Sequence, residues 1–234
     1  AANKEKKQAG ATTVVSGNYA PVAVLELFTS EGCSSCPPAD NLLPRLMAED
    51  SNIYALSFHV DYWDRLGWKD PFSSNAYSER QRGYGDQLNL ESVYTPQLVV
   101  NGKYELVGSN REAAESAIRK ALKENAAVKL SLGEITSTDN KLSFTVSAEG
   151  QLAKTSLLAV LVQKSAKIKV RAGENGGAEL THTNVVRVLE KKPAGASASF
   201  ELALPAGIGD WQLIVYAQQA DLKISGAVMY DPHQ

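Results

Sequence analysis

The chain has 234 residues, 44% of them hydrophobic and 21% charged, which excludes a disordered or fibrous protein. A formal charge of -2 and a pI near 6.0 argue against a nucleic-acid binder. There is no apolar run near the roughly 18 residues that a membrane helix needs, and two cysteines are too few for a disulfide-stapled scaffold.

Residues 1–20 read as a polar, loosely attached tail whose net charge is +2. The first residue is Ala1, consistent with a removed signal peptide or with trimming, and the expectation is an exported protein, periplasmic or secreted. Pro21 to Phe28 is a strand-length apolar run of the kind buried on both faces. Thr29-Ser-Glu-Gly-Cys33-Ser-Ser-Cys36 follows it. A helix begins at Pro37-Pro38, where proline suits a first turn. Ala39, Leu42, Leu43, Leu46 and Met47 give that helix one apolar face. Ile53 to Val60 reads as a second buried strand, and Asn75 to Leu88 as a weaker helix interrupted by Gly83 and Gly85. Val93 to Val100 and Lys103 to Val107 flank Asn101-Gly102, a two-residue hairpin signal. Ser109-Asn-Arg-Glu112 resembles a capping box before a helix that carries Ala114, Ala117, Ile118, Ala121 and Leu122 on one face.

The pattern changes near residue 126. Residues 21–125 carry a net charge of -5 and alternate strand with helix; residues 126–234 carry +1 and show strands only. Those strands are expected near 128–136, 141–148, 156–164, 184–190, 197–204, 211–218 and 222–230, with a loop over Ala172 to Ala178. Short strands separated by turn clusters suggest an antiparallel β-sandwich. The expected organisation is therefore a tail (1–20), an α/β domain (21–125) and an all-β sandwich domain (126–234).

Cys33 and Cys36 can close a small disulfide where a helix begins. There the free N–H groups and the helix dipole lower the pKa of Cys33. Exchange chemistry follows: Cys33 attacks a substrate disulfide, and Cys36 resolves the mixed intermediate. Zinc would need two further ligands, and His59, His182 and His233 are dispersed without ligand spacing. Two other readings stay open. One is a binding module in which the disulfide is structural; the other is a soft-metal carrier holding copper(I) on the thiolates. No metal ligand is assigned, and no cofactor is expected beyond the redox-active disulfide.

The sequence resembles the thioredoxin fold over residues 21–125: strand, CxxC, helix, strand, helix, Thr95-Pro96 before a strand, Asn-Gly hairpin and final helix. The resemblance implies a cis Pro96 packed beside the CxxC, with backbone there that pairs with a bound peptide. More closely, Glu26 to Asp40, His59-Val-Asp-Tyr-Trp-Asp64 and Thr183-Asn-Val-Val-Arg187 resemble a family of secreted bacterial thioredoxin-like proteins catalogued as a domain of unknown function. That likeness spans nearly the whole chain and implies export. Gly32 stands where the thioredoxin pattern has an aromatic, and Ser34-Ser35 fill the CxxC. These departures imply a middling potential and a dedicated partner protein or a small thiol as substrate.

Glu26, seven residues before Cys33, has two readings. It is either a buried acid that takes the proton of the resolving thiol, or a carboxylate paired with Lys or Arg. If the strand runs to 61, His59 shares a face with Asp61; it either helps to activate a thiol or, the favoured reading, is a core histidine bonded to Asp61 or to backbone. Trp63 and Trp68 lie in an aromatic loop after the second strand, either as a substrate wall with Ser34, Ser35, Thr95 and Pro96 or as packing. Thr181-His182-Thr183-Asn184 and Arg187 either reach across to the CxxC or satisfy strand ends.

Overall fold

A computed structural model describes residues 18–233; the expectation of a loose tail over 1–17 lies outside them. The first half forms β1 (Ala23–Thr29), α1 (Pro37–Met47), β2 (Ile53–His59), α2 (Asn75–Gln87), β3 (Gln97–Val100), β4 (Tyr104–Val107) and α3 (Arg111–Ala121). Strand β1 pairs parallel with β2 and antiparallel with β3, and β3 pairs antiparallel with β4. The β3–β4 turn is Asn101-Gly102, both at positive φ (50° and 64°), as a two-residue hairpin requires. The α3 cap lies one residue later than the capping-box reading placed it. Asn110, not Ser109, is the N-cap, because its extended backbone lets Oδ1 accept the Ala113 N–H at 3.1 Å.

The second half forms β5 (Val128–Ser137), β6 (Lys141–Gly150), β7 (Thr155–Lys169), β8 (Glu179–Pro193), β9 (Ser197–Ala203), β10 (Trp211–Gln219) and β11 (Ile224–Tyr230). Seven strands were expected there, but they divide unevenly. Three make a separate sheet, β5-β6-β9. The other four continue the sheet of the first half in the order β11-β10-β7-β8-β2-β1-β3-β4. Four strands of residues 126–234 thus share a sheet with the first half. The join is β8 beside β2, with one parallel backbone register pair, Ser57 and Val185. Side chains extend it: Ser57 Oγ donates to the Thr183 carbonyl at 2.7 Å, and the Asn184 amide donates to the Ala55 carbonyl at 3.0 Å. Asn184 takes positive φ (50°) at this seam. Without β8, β2 would leave a row of unpaired backbone groups at a sheet edge.

This continuity explains the unbroken apolar runs in β7 and β10, which are buried on both faces. Leu157, Ala159, Leu161, Leu213 and Val215 pack against Leu142, Phe144, Val146, Phe200 and Leu202 of the three-stranded sheet. On the other face, Leu158, Val160, Ile214 and Tyr216 share a core with Phe28, Phe58 and Tyr84. The third core lies where α1 and α3 cover Leu25, Leu27, Leu98 and Val100.

Two close backbone approaches fasten the assembly. Tyr19 exchanges two backbone hydrogen bonds with Ala126 at 3.1 Å, so the chain is tied down from there rather than from residue 21. Gly226 of β11 faces β5 so closely that an added Cβ would lie 2.0 Å from the Val128 carbonyl oxygen. Gly226→Ala is therefore expected to destabilise by about 2 kcal/mol, as overpacking against backbone does. At this chain length that lowers the thermal midpoint by about 5 °C, measurable by circular dichroism.

Candidate functional site

Cys33 and Cys36 form a disulfide in the loop between β1 and α1. Cys36 is the N-cap residue of α1, and its carbonyl accepts the Ala39 and Asp40 N–H groups. Pro37 and Pro38 lack the donors that this first turn could not have used. Ser34 and Ser35 face solvent, whereas both cysteines are 0% exposed.

Side chains from three other segments cover the pair. Thr95 precedes Pro96 across a cis peptide bond; its carbonyl lies 3.4 Å from Ser35 Oγ, which is itself 3.4 Å from Cys33 Sγ. Trp63 donates its indole N–H to Thr95 Oγ1 at 2.8 Å, and its Cβ crowds the position where Gly32 would carry one. Any larger residue at 32 would meet Trp63, which accounts for glycine before the first cysteine. Trp68 donates to Glu31 Oε2 at 2.7 Å. The aromatic loop is therefore folded against the CxxC loop. Cys33, Cys36, Ser34, Ser35, Thr95, Pro96, Trp63 and Trp68 gather in one place.

The tip of the β7–β8 hairpin closes the remaining side. Asn175 donates its amide to both the Glu31 and the Cys33 carbonyls at 2.9 Å. Glu174 accepts the Ser34 N–H at 3.0 Å, and that bond lowers its carboxyl pKa below the usual range. Gly173 lies against Trp68. The segment read as a plain loop in the sequence thus straps the disulfide.

Glu26 does not belong to the site. Its side chain faces α2, where Arg80 donates to both carboxylate oxygens at 2.7 Å and the Tyr84 hydroxyl donates at 2.9 Å. Both carboxylate oxygens are engaged by these partners, which is the ion pair of the second reading. His59 departs from expectation too. It bonds through Nδ1 to Asp70 at 2.6 Å, while Asp61 accepts from Ser78. Burial alone would raise the Asp70 pKa, but His59 and the Glu31 and Phe72 N–H groups lower it overall.

The acids on either side of the CxxC in the chain are Glu31 and Asp40. His182 of β8 lies between them, Nε2 3.5 Å from Glu31 Oε1 and Nδ1 3.6 Å from Asp40 Oδ2. His182 and Glu31 are 0% exposed and Asp40 is 5% exposed. Burial would lower the His182 pKa, but Asp40 and Glu31 together raise it to about 9. The sequence offered one signal for this cluster: Asp40 is a carboxylate beside Ala39 and Leu43 at the start of an apolar helix face. Nothing local marked Glu31, Asp70 or Asn175.

Among the described residues, no group of three His, Cys, Asp or Glu side chains is arranged to hold a metal ion, and no helix is long and apolar enough to cross a membrane.

No curated protein matches the chain. A crystal structure of a protein from Agrobacterium tumefaciens is similar along nearly the whole length. It is 26% identical with a TM-score of 0.66, covering 89% of this chain and 94% of that one. A domain of the outer membrane lipoprotein Omp28 from Porphyromonas gingivalis is 12% identical with a TM-score of 0.27, covering 45% of this chain and 88% of that one, which is too distant to carry an argument. A profile match over residues 24–218 takes in the disulfide loop, the aromatic loop and the β7–β8 hairpin that straps them. On that match the chain belongs to the family described as Protein of unknown function (DUF1223).

Proposed function

We propose that the chain is an exported thiol–disulfide exchange protein, with a thioredoxin-like unit (21–125) to which the second half adds a strap and a sheet. The observation that carries this reading is the Cys33–Cys36 disulfide at the first turn of α1, with the Thr95 carbonyl one serine hydroxyl away. A helix start favours a thiolate, and the backbone of the cis Thr95–Pro96 bond lies beside the CxxC, its Thr95 carbonyl held by the Ser35 hydroxyl that a bound peptide N–H could replace.

In the reducing direction, the Cys33 thiolate attacks one sulfur of a partner disulfide, and the partner's other sulfur leaves as a thiolate. Cys36 then gives up its proton to the released partner thiolate and attacks Cys33 Sγ. The second partner thiolate leaves, and the protein's own disulfide forms. Two electrons pass from the protein's dithiol to the partner, and the oxidising direction is the reverse. Both cysteines are covered in the disulfide state, so exchange requires the hairpin tip to lift from Ser34 and Cys33.

Equilibration in glutathione buffers tests the reading. A potential between about -120 and -270 mV is expected, with Cys33 alkylated below the pH of a free thiol. Asn175→Ala removes two hydrogen bonds of about 1 kcal/mol each and is expected to speed reduction by a small dithiol roughly tenfold or more. A second reading is favoured by the complete burial of both cysteines: a binding module with a structural disulfide, its aromatic loop holding the ligand. A potential below about -300 mV and no effect of Asn175→Ala would establish that reading instead.

A further inference from the structure

The exchange chemistry leaves unused a buried group of ionisable side chains next to the CxxC in the chain. Glu31 stands two residues before Cys33, and Asp40 stands four after Cys36. The two residues bracket the CxxC in the chain and are tied to it through backbone, the Asp40 N–H donating to the Cys36 carbonyl at 3.1 Å and Asn175 bridging the Glu31 and Cys33 carbonyls; one imidazole, from a strand more than 140 residues away, meets both carboxylates. The hydrogen-bonding is incomplete. Among the described residues, Glu31 Oε1, Asp40 Oδ1 and both His182 nitrogens lack a partner at hydrogen-bond distance. The other ionisable groups around His182 are His59, whose ring is edge-on at 4.6 Å, and Asp70, which engages His59 Nδ1 and the Glu31 N–H. Phe72 fills a further side.

Two buried carboxylates oppose any further negative charge beside them. Opening the disulfide creates such a charge. When a partner thiolate attacks Cys33 Sγ, the S–S bond breaks and its electron pair leaves on Cys36 as a thiolate. Resting on the exchange reading, we propose that His182 is a positioning residue for this step. Its imidazolium, fixed between Glu31 and Asp40, is the counter-charge that lets a thiolate form in the Cys33–Cys36 loop. The second half of the chain then supplies an electrostatic part of the redox centre as well as the strap over it.

Linkage makes this testable without a substitution. A thiolate that is stabilised by the His182 cation must in turn stabilise that cation. The titration of the His182 ring, followed by proton NMR, is compared in the oxidised protein and after reduction with a phosphine. Three histidines keep the assignment tractable. His182 is expected to bind its proton about tenfold more tightly in the reduced protein, a rise of about one pH unit in its midpoint. Reciprocally, His182→Gln is expected to raise the thiol midpoint, read from thiolate absorbance, by about the same amount. Equal His182 midpoints in the two redox states would overturn the proposal and leave the exchange reading standing. A folded protein whose disulfide resists the phosphine would overturn both.

Discussion

Arg80→Met is expected to lower the unfolding free energy by about 3–5 kcal/mol, because it leaves a carboxylate buried without its cation. Glu26 is 0% exposed in the middle of β1. Arg80 reaches it from α2 and also bonds to the hydroxyls of Tyr84 and Tyr216 and to Gln218, so the guanidinium ties α2 to β1 and β10 together. It lies 5.5 Å from the Phe58 ring centroid and 5.3 Å from that of Tyr84. Burial by itself would lower the Arg80 pKa, but Glu26 more than reverses this, and the guanidinium stays charged. Burial raises the Tyr84 hydroxyl far above its ordinary pKa, so it remains a donor to Glu26. Methionine keeps much of the side-chain volume and removes the charge. Glu26→Leu combined with Arg80→Met is expected to recover most of the loss, since replacing both members of a buried pair is often neutral. Urea unfolding measures both variants against the parent. A further variant separates folding from chemistry: Glu26→Gln lowers stability and leaves the rate of thiol exchange unchanged.

Stability is expected to fall by about 3 kcal/mol as the pH rises from about 6.5 to beyond 9, provided that His182 alone governs that window. In the folded protein its pKa is raised to about 9 from an ordinary 6.5, against burial, by Asp40 and Glu31. The folded state therefore holds the proton more tightly than the unfolded chain does. This contribution is whole below the unfolded value and disappears as the pH passes the folded one. Thermal unfolding at pH 6, 7.5 and 9 reads it. His182→Gln should abolish the slope, and a slope that survives would place the proton elsewhere. Asp70 acts at the opposite end. Its pKa is lowered, so its contribution is present above the ordinary carboxylate range and is lost as acid protonates it.

Local patterns in the chain determined a good deal. The i, i+3, i+4 spacing from Ala39 to Met47, the two prolines before it and the Asn101-Gly102 turn each depend on neighbours within a few residues. Backbone sterics and a single apolar face are enough to decide them. The strands of the second half were legible for the same reason, as were the two cysteines three apart at a helix start. What those strands pair with was not. Whether β7, β8, β10 and β11 close on β5-β6-β9 alone or also extend the sheet through β2 turns on an edge satisfied by Ser57 and Asn184, 127 positions apart. An apolar run reports that both faces are buried but does not name what buries them. The partners of buried charges were equally out of reach. Glu26 meets Arg80 from 54 residues away, Glu31 and Asp40 meet at His182, and Asn175 reaches Cys33 across 142. Desolvation makes such pairing obligatory for a buried charge, but it sets no sequence spacing; only the packed tertiary structure selects which opposite charge arrives.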